Sequence, residues 1–353
     1  MRWICLSVVV IVLLALFLID AKIAKEDTFW EDYCSVAKSN ALKGIFVMMV
    51  FLSHFQGYIQ LGEEDQISVA IVSFLGQLMV APFLFFSGFG IMESIRKKGN
   101  GYVKKIPVQR VLKTWTHFVF CVFLFWILNL LLDIPMSVRQ MALSLVCWES
   151  VGNSTWYIFT MLFLYLFTAV SFLIFRKNAV FATFAVTLLT FVYVLIIRCF
   201  QDSWWYNTSL CYSFGMWFAL LRDKVEKLVQ RSDVFYCSAL LLAFYGFRQL
   251  MRIMIYSEWF YQFYAMAFVM LVVGVSMKLR LDNPMLQFLG KHTFTIYMLQ
   301  RLPMCFMQTK ELFVNDHITM FVMCFLMTCI LAIGFDKFLL WFDKRVFLQR
   351  VKV

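Results

Sequence analysis

Only four histidines occur in the 353 residues, His54, His117, His292 and His317. Of these, only His54 falls well inside an unbroken apolar run, Gly44-Ile-Phe-Val-Met-Met-Val-Phe-Leu-Ser-His54-Phe. An ionisable side chain at membrane depth is costly to hold, so the position reads first as functional. The alternative is a neutral imidazole donating one hydrogen bond to a neighbouring helix. Lys43 stands eleven residues earlier. Eleven steps of about 100° return a helix close to its starting direction, so Lys43 and His54 share one face, separated by roughly 16 Å of rise. A cation at one mouth of the membrane and a proton acceptor halfway across suit a reaction between an anionic donor from inside and an acceptor from outside. Taken alone, Lys43 is also explained as an interfacial anchor whose amine reaches back to water.

Other reactive groups are less well framed. Ser87 lacks the Gly-x-Ser-x-Gly elbow of a hydrolase nucleophile and lies in a Ser-Gly-Phe context suited to close helix packing. The ten cysteines form no CxxC pair and no Cys/His ligand spacing, so they are expected as small buried hydrophobes, with neither a disulfide frame nor a metal site.

These residues must be positioned by membrane helices. The chain is 62% hydrophobic and 15% charged, whereas a soluble domain carries about a quarter charged residues. Candidate spans of the length a bilayer needs lie near Trp3–Ile19, Gly44–Leu61, Ser68–Met92, Leu112–Leu132, Trp156–Phe175, Ala179–Cys199, Trp205–Leu221, Val234–Met251, Trp259–Met277, Met285–Met304 and Ile318–Trp341. Continuous apolar runs without alternation predict helices and exclude a β-barrel. The expected fold is therefore all-α and polytopic, with about eleven transmembrane helices.

The net charge of +11 does not indicate nucleic acid, because Lys and Arg sit in short loops between spans. Arg96, Lys97, Lys98, Lys104, Lys105, Arg110 and Lys113 form one basic loop. Arg222, Lys224, Lys227 and Arg231 form another, and Lys344, Arg345, Arg350 and Lys352 a basic tail. Eleven spans place all three on one side, expected to be cytoplasmic, with the N-terminus outside and the C-terminus inside. The first span is expected to be an uncleaved helix, since no small-x-small cleavage site stands out near Asp20–Ala24.

At this point the sequence resembles the acyltransferase-3 family of membrane proteins, which O-acylate cell-surface carbohydrates. Lys43-Gly44 followed by His54 is similar to the basic residue, Gly and His that open the family's first helix, with Lys in place of the commoner Arg. Phe85-Phe86-Ser87-Gly88-Phe89, Arg110-Val-Leu-Lys113, the helix led by Trp156-Tyr157, Leu289-Gly290-Lys291 and Ile296-Tyr297 follow in the family's order. Two departures stand out. Some members carry an acid soon after the Trp, where this chain has Phe159, Thr160 and Met161, and many have His soon after the Ile-Tyr pair, where this chain has Gln300.

The resemblance divides the chain into a first membrane helix and cytoplasmic segment over 1–41 and a ten-helix acyltransferase-like bundle over 42–353. It implies a multi-pass O-acyltransferase, most often an O-acetyltransferase, of the plasma or inner membrane. Its donor would be a cytoplasmic acyl-coenzyme A, commonly acetyl-coenzyme A, and its acceptor a hydroxyl of a surface polysaccharide or lipid-linked sugar. His54 and Lys43 would be catalytic, with Arg110, Lys113 and Ser87 at the donor. Membrane lipid is the remaining expected partner, and the sequence sets no oligomeric state. The competing expectation is a transporter or flippase for a lipid-linked sugar or small anion, which favours paired helices broken by Gly or Pro. Only five Pro occur, and no such pair is apparent.

Overall fold

The computed structural model describes residues 6–176, 178–254 and 257–347. Trp3, Arg350 and Lys352, used in the span and charge arguments, lie outside the described residues. The described chain is a nearly all-α bundle with a single two-stranded ribbon. Its helices run in chain order through α1 (Leu6–Phe17), α2 (Val36–Gln56), α3 (Gln66–Leu75), α4 (Ala81–Lys98), the short α5 (Asn100–Val103), α6 (Lys113–Leu131), α7 (Val138–Leu145) and α8 (Trp156–Ile174). They continue with α9 (Ala179–Ile197), α10 (Leu210–Val229), α11 (Asp233–Ile253), α12 (Glu258–Lys278), α13 (Pro284–Lys291), α14 (Thr293–Leu299), α15 (Arg301–Thr309) and α16 (His317–Val346).

Eight helical stretches among the described residues are long and apolar enough to cross a membrane, matching eight of the expected spans. One of these, Glu63–Lys98, joins α3 to α4 through the 3-10 turn Gly76–Met79. Large apolar side chains face outward around the bundle, such as Phe184 at 59% exposure on α9 and Leu242 at 71% on α11. In water such a belt would be an aggregation surface; against lipid it costs nothing. The protein is accordingly a multi-pass membrane protein.

The three remaining expected spans come out differently. Of the first, the described residues form α1 (Leu6–Phe17), which packs into the bundle through Leu6, Val10, Leu13 and Phe17. The seventh begins with a loop and becomes helical at Leu210, and the last turns of α10 carry Arg222, Asp223, Lys224, Glu226 and Lys227. The tenth, Met285–Met304, is interrupted at His292 and Gln300, giving the three short helices α13 to α15. An interrupted span thus occurs where one continuous helix was expected.

One end of the bundle gathers the basic segments and is held by the ribbon, in which β1 (Ala21–Ile23) pairs antiparallel with β2 (Leu279–Leu281). Lys38 of α2 ion-pairs with Asp282 just beyond β2, and Arg280 Nε lies 2.6 Å from the same carboxylate. Burial works to raise the Asp282 carboxyl. The Lys38 hydrogen bond and the charges of Lys38 and Arg280 outweigh it, so Asp282 titrates below the usual carboxylate range. At the opposite end the buried Asp65 accepts from the Leu6 N–H at 2.9 Å and lies 3.3 Å from His317 Nδ1, joining the starts of α1 and α16.

Candidate active site

The site is built around α2. Ser35 caps this helix by accepting the Lys38 N–H at 3.3 Å, satisfying one of the free donors at its start. α13 lies directly on its first turns. A Cβ on Gly44 would come within 2.3 Å of the Leu286 carbonyl oxygen, and one on Gly290 within 1.9 Å of the Asn40 carbonyl oxygen. The two backbones therefore touch at both glycines, an approach that any side chain would prevent. Lys43-Gly44 and Leu289-Gly290-Lys291, separate motifs in the sequence, are the two sides of one helix contact. From there α14 and α15 run back along α2, bringing Gln300 beside His54 and Arg301 Nε to 2.9 Å from the Tyr58 hydroxyl.

Three more helices close the space beside Lys43. α4 meets α10 through Gly88, whose Cβ would come within 1.9 Å of the Tyr212 carbonyl oxygen. The Gly of the Ser-Gly-Phe motif thus packs the helices, while Ser87 faces inward beside Tyr157 and Tyr165. α6 is entered through a π-helical turn, Pro107–Leu112, where Pro107 has no N–H to lose. Such widened turns recur at functional sites. Arg110, Lys113 and His117 follow at helical spacing and share one face. α8 contributes Tyr157, Met161 and Tyr165, each four residues from the last.

Together these walls enclose a cavity of about 490 Å³. Lys43, Arg110, Lys113 and Lys291 line it with His117, opposite aromatic walls that include Tyr157 and Tyr297. A second cavity, of about 500 Å³, shares Lys43, Ser87, Arg110 and Tyr165 with the first. Its outer parts mix Glu31, Asp32 and Glu93 with Lys97 and Arg222. The first cavity has no acidic residue in its wall. Behind the wall, Asp343 of α16 holds Lys113 Nζ at 2.6 Å and His117 Nε2 at 2.9 Å. Among the described residues, no carboxylate ion-pairs with Lys43, Arg110 or Lys291. Three unneutralised cations around one hollow form a site for a polyanion.

Four of the five sequence-derived candidates, Lys43, Ser87, Arg110 and Lys113, therefore meet at one cavity. His54 does not line it. Its Nδ1 is 2.9 Å from Gln300 Nε2, and its ring centroid is 6.4 Å from that of Tyr297. Tyr297, which does line the cavity, packs edge-on against Tyr157 with centroids 5.4 Å apart. Tyr297 thus lines the hollow and approaches the imidazole. Nε2 of His54 has no hydrogen-bond partner among the described residues.

Among the described residues, no carboxylate orients His54. The acids placed for such a role serve other histidines: Asp343 holds His117, and Asp336, two turns earlier on α16, pairs with His292. Nor is Ser87 activated, since no His or carboxylate among the described residues hydrogen-bonds to it. Cys34 lines the second cavity, but burial pushes its thiol up to about 12 against the opposing charge of Arg222, leaving it protonated and a poor nucleophile. Lys291, Tyr157 and Tyr297 belong to the site although sequence reasoning gave them no role. Their motifs marked them, but only the fold shows that those motifs converge.

Comparison with known proteins accords with this arrangement. The family model for an acyltransferase domain, acyltransferase-3, matches residues 36–337. That interval begins at the first residue of α2 and ends within α16, so it contains every residue lining the first cavity and Gln300 beside His54, but not Asp343. No curated protein matches the chain, and no solved structure does.

Proposed function

The chain belongs to the acyltransferase-3 family, and from that premise we propose an O-acyltransferase that uses an acyl-coenzyme A, in the first instance acetyl-coenzyme A. The acceptor is a hydroxyl of a surface polysaccharide or lipid-linked sugar. The observation carrying this reading is the cavity in which Lys43, Arg110 and Lys291 stand without acidic partners. Coenzyme A bears a pyrophosphate and a 3′-phosphate, and its anionic end is matched by those cations. The basic end of the bundle faces the cytoplasm by the distribution of Lys and Arg, so the donor enters there. Lys344 lies inside and Glu64 outside, and the membrane is the plasma or inner membrane.

In this reading the donor's phosphates stay with Lys43, Arg110 and Lys291, while the slim arm carrying the thioester extends along α2 past Tyr297. His54 Nε2 removes the proton from the acceptor hydroxyl as its oxygen attacks the thioester carbonyl. The tetrahedral oxyanion collapses, the C–S bond breaks, and the proton held by His54 passes to the departing thiolate. Ester and free coenzyme A result. Ser87 contributes to the donor wall with no covalent role.

The test uses membranes from cells expressing the protein, which supply native acceptor. Coenzyme A thiol release from acetyl-coenzyme A and acyl groups on surface glycans are measured together. Wild-type membranes are expected to show both, and His54→Ala membranes with equal protein content to show neither. A general base contributes about 10²–10⁴-fold, so near-normal acylation by the variant would remove His54 from the chemistry. A wild type that binds anionic donor analogues without ester formation would instead favour transport.

A further inference from the structure

His54 and Gln300 are joined by a single contact, Gln300 Nε2 to His54 Nδ1 at 2.9 Å. In this orientation the amide donates, so Nδ1 carries the lone pair and the imidazole proton sits on Nε2. Nε2 is then a donor and cannot take a proton. Meanwhile Gln300 Oε1 is buried without a hydrogen-bond partner, and the residue is 0% exposed. A buried amide oxygen left unpaired is unfavourable and calls for an explanation. The other bond of this amide, Nε2 to the Tyr297 carbonyl, is long at 3.4 Å and gives the present orientation little support.

Turning the amide about its terminal bond pairs Oε1 with His54 and frees Nε2 of the imidazole, giving up only the long bond to the Tyr297 carbonyl. Oε1 then occupies the position facing His54, accepts from Nδ1–H, and leaves the Nε2 lone pair free. The two orientations have the same shape and differ only in which tautomer of His54 they hold.

We propose that Gln300 is a positioning residue that makes His54 base-competent by presenting its amide oxygen to Nδ1–H, and that the opposite amide orientation is the idle state. This rests on the reading of His54 as the base. When Nε2 takes the acceptor proton, the imidazolium keeps its Nδ1–H on Gln300 Oε1, and that charge-assisted bond is stronger than the one made by neutral imidazole. The role usually filled by a carboxylate falls here to a neutral amide. A permanent negative charge is thereby kept out of the membrane interior.

Three measurements test the proposal. In wild-type protein carrying ¹⁵N-labelled histidine, with acetyl-coenzyme A bound, the His54 signal (assigned by its loss in His54→Ala) is expected to show the proton on Nδ1. A proton found on Nε2 in that state would overturn the proposal, whatever the variants do. On native membranes, Gln300→Met, which keeps the volume without the amide, is expected to lower kcat by about ten- to hundredfold. Its KM for acetyl-coenzyme A should stay within about twofold, because a loss confined to the chemical step appears in kcat. Gln300→Glu, whose carboxylate can only accept when ionised, is expected to restore most of the rate and to move the acidic limb of the pH–rate profile upward. Wild-type kcat in Gln300→Met alongside an inactive His54→Ala would sink this inference and leave the acyl-transfer reading standing. Full activity in His54→Ala, or no turnover by the wild type, would overturn both.

Discussion

Lys113 Nζ lies 2.6 Å from Asp343 Oδ2, while Arg110, one turn earlier on the same face, has only the Tyr102 hydroxyl, 3.2 Å from its Nε. The two cations were expected as an equivalent pair, yet only one has its charge satisfied by the protein. Arg110→Ala is expected to weaken acetyl-coenzyme A binding about ten- to hundredfold, the loss of one charge-assisted contact. Lys113→Ala should weaken it much less and should instead lower stability, since it leaves the buried Asp343 carboxylate with His117 as its one remaining ion-pair partner among the described residues. Calorimetric titration of detergent-purified variants separates the two. Equal losses of affinity would show that Asp343 does not neutralise Lys113 when the donor is bound.

Lys43 sits on the wall shared by both cavities. Lys43→Ala should cost about 1.5–3 kcal/mol of donor binding or transition-state stabilisation, while Lys43→Arg should keep most activity because a guanidinium still reaches a phosphate. An interfacial anchor would tolerate both changes, since Lys22, Lys25 and Lys38 remain nearby in sequence. Unchanged affinity and unchanged turnover in Lys43→Ala would return the residue to that lesser role.

Gly290→Ala tests the contact that unites two motifs. Its new methyl would have to displace the Asn40 backbone, an overpacking cost of about 1–3 kcal/mol or more. Gly334 on α16 has nothing within 4 Å of an added Cβ, so Gly334→Ala should be neutral or stabilising by up to about 1 kcal/mol. The comparison is made by thermal unfolding in one detergent. A Gly290→Ala protein as stable as the wild type would mean that α13 does not sit on α2 as described.

Cysteine labelling in intact cells checks the orientation. A cysteine replacing Gly99 or Lys344 should be shielded from an impermeant reagent, and one replacing Glu64 should react. Labelling at Lys344 together with protection at Glu64 would invert the bundle and put the cationic cavity outside.

Acid should loosen the ribbon at the basic end. Asp282 has its folded pKa depressed, so its contribution is present above the unfolded carboxylate value and fades as pH falls through the folded one. Asp282→Asn should therefore be less stable than wild type near neutrality, by about 1 kcal/mol or less given the partial exposure of the pair. The two proteins should converge in acid, as melting curves across pH would reveal. A constant difference at every pH would assign the loss to something other than charge.

Much of this was legible in the sequence because membranes impose simple rules. Length and apolarity located the eight long spans. What escaped were contacts between elements far apart in the chain. Gln300 stood out only as a departure, since its role depends on α14 and α15 running back along α2. Asp343 drew no reading at all, because nothing local shows that α16 delivers it to Lys113 and His117. The interruption at His292 escaped for another reason. Residues 284–309 are apolar enough to suggest one span, but the freed backbone there lies beside a cavity, where irregular structure is tolerated at membrane depth.

The Tyr157–Tyr297 pair carries a consequence for the cell rather than for the reaction. A protein that admits a hydrated polyanion deep into the bilayer risks becoming a conduit for protons and salt, draining the gradient its host depends on. Two rings packed edge-on in the wall of the hollow would be expected to resist such a leak, because moving a bare ion past aromatic carbon forfeits its hydration. A short neutral acyl thioester meets no such penalty when the rings part. For the reaction proposed at His54, such a closure would be expected to protect a thioester by keeping water from competing with the acceptor. Small side chains at these two positions would thus be expected to trade ester formation for wasted hydrolysis and a leaky membrane.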